Sequence, residues 1–400
     1  GAWLFSVWVS VWGGVRWGMA FHDPGVLRHV PFMVVGAGGA GAAAAYGLAR
    51  RGLRPLLVEQ FRVGHDRGSS FGHSRIFRFA YEEPEYAGLA REALRSWRAL
   101  EQEAGQTLFW RTGGLDLGPD SAPNLNHVFG ALARQDMAAE RLTRAGLQKR
   151  YPQWQVPADW EAVYSPDAGI VNPTLTVEVL CALTNAHGGQ VLENTRVDGI
   201  EFGSRPRVST TAGVFTCDHL IVAAGAWTAK LVPELVSYLT VTLAGTTFYR
   251  PRHLADFQPE RFPVFITHDE FQAYGFPAFG LPGVKLGTDT IREVTDGDSR
   301  PFGMPAKMQA DSDEFMRRYL PGAAGAVMHR ASCLITRAPT TDFLLARHPA
   351  CERVIVASPC SGHGFKFVPL LGEILAAKAV GESHPWDLPR FGFPAELHPV

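Results

Sequence analysis

The chain has 400 residues, of which 46% are hydrophobic and 19% charged, and its formal net charge is −1. That length suffices for a large core and two domains, while the near-zero charge excludes the basic field that nucleic acid or an anionic membrane surface would require. The five cysteines (Cys181, Cys217, Cys333, Cys351, Cys360) show no CxxC spacing, so neither a zinc site nor a disulfide framework follows, no metal is expected, and a reducing cytoplasm is the expected compartment.

The N-terminus is unusual. Ala2 to Phe21 is almost entirely apolar, with Trp3, Trp8, Trp12 and Trp17 and one charge, Arg16. It lacks the positive flank and cleavage site of a secretory signal, and Gly13, Gly14 and Arg16 weaken a membrane span. Met19 reads as the natural start, and residues 1–29 as an extension without an assigned role.

Pro31 to Val35 then reads as a short apolar strand, Gly36 to Gly41 as a turn, Ala42 to Arg51 as an Ala-rich helix and Leu56 to Glu59 as a second strand. This is a βαβ unit of about 30 residues with an acid about 20 residues past the glycines, the context that a dinucleotide fingerprint needs. Gly36, Gly38, Gly39 and Gly41 serve a tight turn, close approach to a pyrophosphate and helix-to-strand contact, and the helix N-terminus adds partial positive charge. Glu59 is placed to accept hydrogen bonds from ribose hydroxyls.

Leu89, Ala93, Leu94, Trp97 and Leu100 recur at helical spacing, and Leu132 to Leu147 is read the same way. Leu175 to Ala186 is a further helix, followed by strand-like Val191–Leu192 and Thr195 to Phe202. Val208 to Phe215 and His219 to Trp227 read as successive strands, the second buried and ending in a turn at Gly225. Thr240 to Arg292 alternates aromatic and apolar residues and reads as an antiparallel sheet. Near the C-terminus, Ser361-Gly362-His363-Gly364-Phe365-Lys366-Phe367 is a glycine-rich turn before an apolar helix, with Cys333 upstream. One cofactor touched by both ends of a chain points to a flavin protein.

Taken in order, the GxGxxG unit with Glu59, Gly72 to Tyr81, Tyr274-Gly275-Phe276-Pro277 leading to Lys285-Leu286-Gly287, Cys333 to Thr336, and Ser361 to Phe367 resemble the monomeric sarcosine oxidase and N-methyltryptophan oxidase family of FAD-dependent amine oxidases. The resemblance runs from about Val30 to Glu382. It implies an α/β fold with a glutathione-reductase-like FAD-binding domain, expected from residues 30–85, 150–228 and 325–385. A mainly antiparallel-sheet substrate domain is expected from 86–149 and 229–324, with 386–400 as a tail. It also implies a thioether between Cys333 and the flavin, for which a thiol is chemically suited. Lys285 matches the lysine over the flavin that promotes reaction with oxygen. Lys366 and Arg78 match the pair that clamps a substrate carboxylate, and His363 and Tyr274 are pocket residues. Ser74, Arg75, Val197, Gly225, Trp227, Gly362, Gly364 and Phe365 join the glycines, Glu59, Cys333 and Lys366 as cofactor contacts. Six lysines in an arginine-rich chain support retained roles for Lys285 and Lys366.

The chain departs from the family at Phe71 and His73, where His and Asp are usual, at Ile335 (Tyr), at Asp289 (His) and at Pro359-Cys360 (Gly-Phe). These changes leave flavin chemistry intact and alter the pocket. The expected activity is oxidation of the C–N bond of a secondary amino acid, such as sarcosine or another N-methyl or cyclic imino acid, with oxygen reduced to hydrogen peroxide, by a monomer. A noncovalent FAD amino-acid oxidase, a dehydrogenase using another acceptor, and a flavin-binding electron-transfer subunit stay open.

Overall fold

A run of small residues in the first helix decides how the chain packs. In the computed structural model, which describes residues 27–397, helix Gly39–Arg50 crosses helix Val368–Ala379 where Gly47 meets Gly372. A Cβ on Gly372 would stand 2.4 Å from the Ala43 carbonyl oxygen, and one on Gly47 would stand 2.6 Å from the Gly372 oxygen. Ala42 to Ala45 accordingly lie fully buried against Leu370, Leu371, Ile374 and Leu375. Gly372→Ala should lower the unfolding free energy by about 1–3 kcal/mol through overpacking, as read from a denaturant midpoint shift at constant slope.

The two helices cover an eight-stranded sheet. At its centre Leu27–Val35 runs parallel to Leu56–Val58 and to Gly213–Val222, with Val35 opposite both Val58 and Val222. Cys351–Ser358 adds a fourth parallel strand beside Gly213–Val222. Where they lie side by side, at Met33–Val35, Leu56–Val58, Leu220–Val222 and Val354–Val356, all four are buried on both faces, as parallel strands between covering layers must be. Gly213–Val222 is one strand of a hairpin with Arg207–Thr210, and it stops before the short turn Gly225–Trp227. The expected break into Val208–Phe215 and His219–Trp227 is therefore corrected: the turn falls at Thr211–Ala212, because Gly213 takes φ +118°.

The second sheet has nine strands and is mainly antiparallel; the exception is the parallel pairing of Val264–Thr267 with Gly114–Pro119. Thr240–Tyr249 is its spine, paired with Val284–Thr288 on one edge and Val327–Arg337 on the other. One face carries Leu243, Tyr249, Leu286, Phe265, Leu115 and Leu117, which pack in part against helix Ala306–Tyr319. On the alternate face, Val264, Tyr274 and Phe276 pack against Ile76, Trp110 and Ile170, and Ala244, Thr246, Phe248 and Lys285 border a cavity. A small third sheet joins Arg75–Phe77, Gly169–Val171 and Phe109–Arg111.

The segment boundaries shift at three places. Val327–Arg337 and Trp160–Ser165, expected with the FAD-binding segments, are strands of the nine-stranded sheet. Helix Pro84–Ala104, expected in the other domain, packs on Val368–Ala379, where Trp97 Nε1 donates to the Lys366 carbonyl at 2.7 Å. Alternation marks a strand without naming its partners. The stretch Leu132 to Leu147 is not one helix. Helix Pro123–Arg134 ends at a turn with Asp136 at φ 53°, then strand Glu140–Thr143 leads into helix Arg144–Arg150, capped by Thr143 Oγ1. The reading of residues 1–26 lies outside the described residues, as do residues 398–400 of the tail. Among the described residues no helix is long and apolar enough to cross a membrane.

Candidate active site

The glycine turn lies where strand Leu27–Val35 meets helix Gly39–Arg50. Gly36 has φ +95°, and a Cβ at Gly41 would stand 1.8 Å from the Gly36 carbonyl oxygen, so no side chain separates turn from helix. Gly38 is different: apart from Ser70 Oγ at 3.5 Å, nothing lies near its Cβ position. The N-cap, Gly38, has no side chain to cap the helix; the Gly39 N–H donates to Ser70 Oγ at 3.0 Å, and the helix end, with its partial positive charge, is suited to phosphate. Glu59 accepts from the backbone N–H groups of Ala37 (2.7 Å) and Phe61 (2.9 Å) and faces His65 Nε2 at 3.3 Å. Burial pushes its pKa up, but His65 and the two N–H groups outweigh that and hold it below the usual range. Glu59 is thus a fixed carboxylate with acceptor capacity left for hydroxyls.

A cavity of about 1500 Å³ runs from this turn to the nine-stranded sheet and is bordered by Gly38, Trp227, Cys333, Lys285 and Lys366. Ordinary ligand pockets occupy about 300–1,000 Å³, so this one has room for a dinucleotide and a small second molecule. Its floor follows from strand register. One cross-strand row reads Phe276, Lys285, Phe248 and His329; the next reads Asp116, Ile266, Tyr274, Gly287, Thr246 and Ala331. Ala244 opposite Cys333 continues the same face. Gly287 leaves space for the Tyr274 ring, which a Cβ there would meet at 2.5 Å.

Lys285 lies between aromatic rings, 4.6 Å from the Phe276 centroid and 5.8 Å from that of Phe248. Its Nζ donates to the carbonyl and hydroxyl oxygens of Ser74, both at 3.1 Å, and no carboxylate pairs with it among the described residues. Burial, with the nearby Arg75 charge, holds its pKa well below the ordinary lysine value. Such an ammonium gains from any negative charge brought above it.

Lys366 begins a chain of polar contacts. Its Nζ donates to the Tyr81 hydroxyl at 2.8 Å and to the His363 carbonyl at 2.7 Å. His363 Nε2 lies 3.0 Å from the Thr341 carbonyl and so carries the proton, which makes Nδ1, 3.1 Å from Tyr81 Oη, the acceptor of the tyrosine O–H. Burial and the Lys366 charge push His363 down to about 3, so its ring is neutral. Burial and Arg78 likewise hold Lys366 well below its ordinary value. Arg78 stacks 5.0 Å over the Tyr81 ring and donates to the Ala80 carbonyl. Tyr81 thus carries the Arg78 guanidinium on its face and the Lys366 Nζ at its hydroxyl.

Most residues singled out from the sequence border this one cavity: Gly36, Gly39, Arg75, Arg78, Val197 and Gly225, together with Tyr274, Gly362, His363, Gly364 and Phe365. Gly41 and Ser74 stand behind its wall, Gly41 closing helix on strand and Ser74 holding Lys285. Arg75 donates to the carbonyls of Ser74 and Ser69 at 2.9 and 2.7 Å. Trp227 Nε1 donates to Asp298 Oδ1 at 2.6 Å. Gly364 has no space for a Cβ, which would stand 1.6 Å from the Pro359 carbonyl oxygen. Asp289, one of the departures, pairs with Arg337 at 3.0 Å.

Sequence reasoning missed four polar residues here. Tyr81 was seen only as part of a motif. Asp116 and His268, 3.0 Å apart, had one signal, a charge inside the otherwise apolar strand Gly-Leu-Asp-Leu-Gly. Arg300, buried and donating to Ser332 O (2.7 Å) and Oγ (2.6 Å) beside Cys333, had none.

The glycine cradle, the helix N-terminus beside it and the breadth of the cavity fit FAD. A family model described as FAD dependent oxidoreductase matches residues 32–378. Monomeric sarcosine oxidase of Bacillus sp. (strain B-0618) is 33% identical over 362 residues, covering 88% of this chain and 92% of that protein. N-methyl-L-tryptophan oxidase of Yersinia pestis (strain Pestoides F) is 32% identical over 368 residues, covering 90% and 97%. Among solved structures, the open form of NikD, an unusual amino acid oxidase essential for nikkomycin biosynthesis, superposes with a TM-score of 0.80 at 23% identity, covering 91% of this chain and 97% of that one, and shares the fold. Fold and site define an FAD-dependent amine oxidase. The chain belongs to the FAD dependent oxidoreductase family, within its sarcosine oxidase and N-methyltryptophan oxidase group.

Proposed function

We propose that the protein oxidises the C–N bond of a small secondary amino acid, an N-methyl or cyclic imino acid, and reduces oxygen to hydrogen peroxide. The observation that carries this reading is the placement of Arg78 and Lys366 on one tyrosine at one end of the cavity, with Lys285 on the sheet floor of the same cavity. FAD bound there supplies a two-electron acceptor for the substrate's C–H bond and a donor for oxygen. Gly38 and the helix N-terminus hold its pyrophosphate, Glu59 its ribose, and Cys333 tethers the ring by a thioether. Arg78 and Lys366 clamp the substrate carboxylate by charge-assisted hydrogen bonds, fixing the adjacent carbon over the ring. Two nearby cations disfavour the protonated amine, so no side chain need act as a general base. Ile335, Phe248 and Phe276 give the pocket apolar wall for an N-alkyl or ring carbon.

All five cysteines are free, which supports a reducing compartment such as the cytoplasm, and we read the protein as a monomer. A peroxide-coupled screen of N-methyl and cyclic imino acids tests the activity; turnover without peroxide would assign another acceptor. Acid precipitation of the yellow protein tests the tether. Wild-type colour should stay with the precipitate and that of Cys333→Ala should leave it. Release from both would reject the thioether.

A further inference from the structure

Asp116 has no part in the function proposed above, yet it is a carboxylate with 4% exposure set among apolar strand residues. Leu115 and Leu117, on either side of it, point into the core beneath the sheet. Alternation therefore turns Asp116 to the cavity side, in the row with Ile266 and Tyr274. Its Oδ1 is 3.0 Å from His268 Nε2 and 3.8 Å from Arg78 Nη1. An ionised carboxylate only accepts, so His268 donates, and one oxygen faces both a hydrogen-bond donor and the guanidinium. His268 itself borders the cavity.

We propose that Asp116 is a positioning residue, the counter-ion that Arg78 exchanges for the carboxylate of an incoming ligand, with His268 holding it back. The inference rests on Arg78 and Lys366 acting as a carboxylate clamp. At 3.8 Å the contact is an ion pair without hydrogen-bond geometry: Arg78 Nη1 donates to the Ala80 carbonyl, and His268 holds the Asp116 oxygen at closer range. Arg78 is thus stabilised in the empty site without being locked away from a ligand. When a ligand carboxylate arrives, Arg78 gains a hydrogen-bonded partner and Asp116 keeps the imidazole. The cost is repulsion between two carboxylates near one guanidinium, which keeps the affinity for any carboxylate, product included, below what the two cations would otherwise give.

The sign of two substitutions separates this arrangement from a structural one. In Asp116→Asn the rival charge is gone, and carboxylates should bind on the order of tenfold more tightly, given a buried charge several ångströms away. In His268→Leu, Asp116 is left to Arg78 alone, and carboxylates should bind several-fold more weakly, roughly the loss expected when a charged hydrogen bond must be broken first. A role limited to packing would weaken binding in both.

The measurement is titration of the yellow holoprotein with benzoate, followed by flavin absorbance, with benzamide as the neutral control and melting temperatures recorded for each variant. Tighter benzoate binding in Asp116→Asn, weaker binding in His268→Leu and unchanged benzamide binding support the exchange. Unchanged or weaker benzoate binding in Asp116→Asn overturns it. Arg78→Gln separates the layers: if it does not weaken benzoate binding, or the wild type binds none, the clamp itself is wrong.

Discussion

Replacing Lys285 by Met should slow reaction of the reduced protein with oxygen on the order of 10²–10³-fold, as loss of a preorganised charge at a developing anion does. Reduction by substrate should change far less. The physical basis is the isolation of this ammonium. It lies between Phe248 and Phe276, its hydrogen-bond partners are the two oxygens of Ser74, and burial drives it towards the neutral amine. On the proposed reading, negative charge developing above the sheet during oxygen reduction would reverse that balance and be stabilised by the ammonium. Methionine keeps the volume and contacts both rings favourably, so the fold should tolerate it. Stopped-flow reduction under anaerobic conditions, followed separately by mixing the reduced protein with oxygenated buffer, measures the two halves. Equal slowing of both would remove Lys285 from the oxygen step.

Lys366→Met should weaken binding of amino-acid substrates by about 2 kcal/mol or more, roughly 30-fold, since a charged hydrogen-bond donor to a carboxylate is lost in a buried setting. Amines lacking the carboxylate should show little change. The wild-type protein carries a further signature. Burial and Arg78 favour neutral Lys366 in the empty site, whereas a bound carboxylate favours the ammonium. Binding therefore takes up a proton at pH values above the lysine's free-state pKa, and Kd should rise with pH there. In Lys366→Met that slope should flatten. A steep, unchanged slope in the variant would assign the proton to another group, and equal loss on decarboxylated amines would argue against the clamp.

Tyr81 makes these two cations interdependent. It accepts from Lys366, donates to His363 and lies beneath Arg78. A buried tyrosine whose pKa is raised, chiefly by burial, stays protonated and serves as a rigid spacer between charges. Trp97, 269 positions from Lys366, adds a second hold through its hydrogen bond to the Lys366 carbonyl. The C-terminal turn is thereby fixed from two sides, so a substrate carboxylate would meet the Arg78 guanidinium and the Lys366 amine already in place.

The first βαβ unit was legible because its chemistry is local: glycines, a helix start and an acid lie within one short stretch, and each acts through backbone geometry that spacing alone imposes. The same holds for the turn from Ser361 to Phe367, where Gly364 leaves no space for a side chain beside Pro359. Lys285, Lys366, Arg78 and Cys333 were marked by motif resemblance, and the fold gathers them into one cavity. Other features depended on which strands became neighbours. Alternation shows that Asp116 and Leu117 face opposite ways, but only the parallel pairing of Gly114–Pro119 with Val264–Thr267 sets Asp116 in the row of Tyr274 and within reach of His268, 152 positions away. The same pairing logic moved Val327–Arg337, and Cys333 with it, into the sheet opposite the glycine turn. A strand's own residues specify its two faces through side-chain period, whereas its edge partners are selected by the packing of the whole chain, so the counter-charge beside Arg78 exists only in the folded molecule.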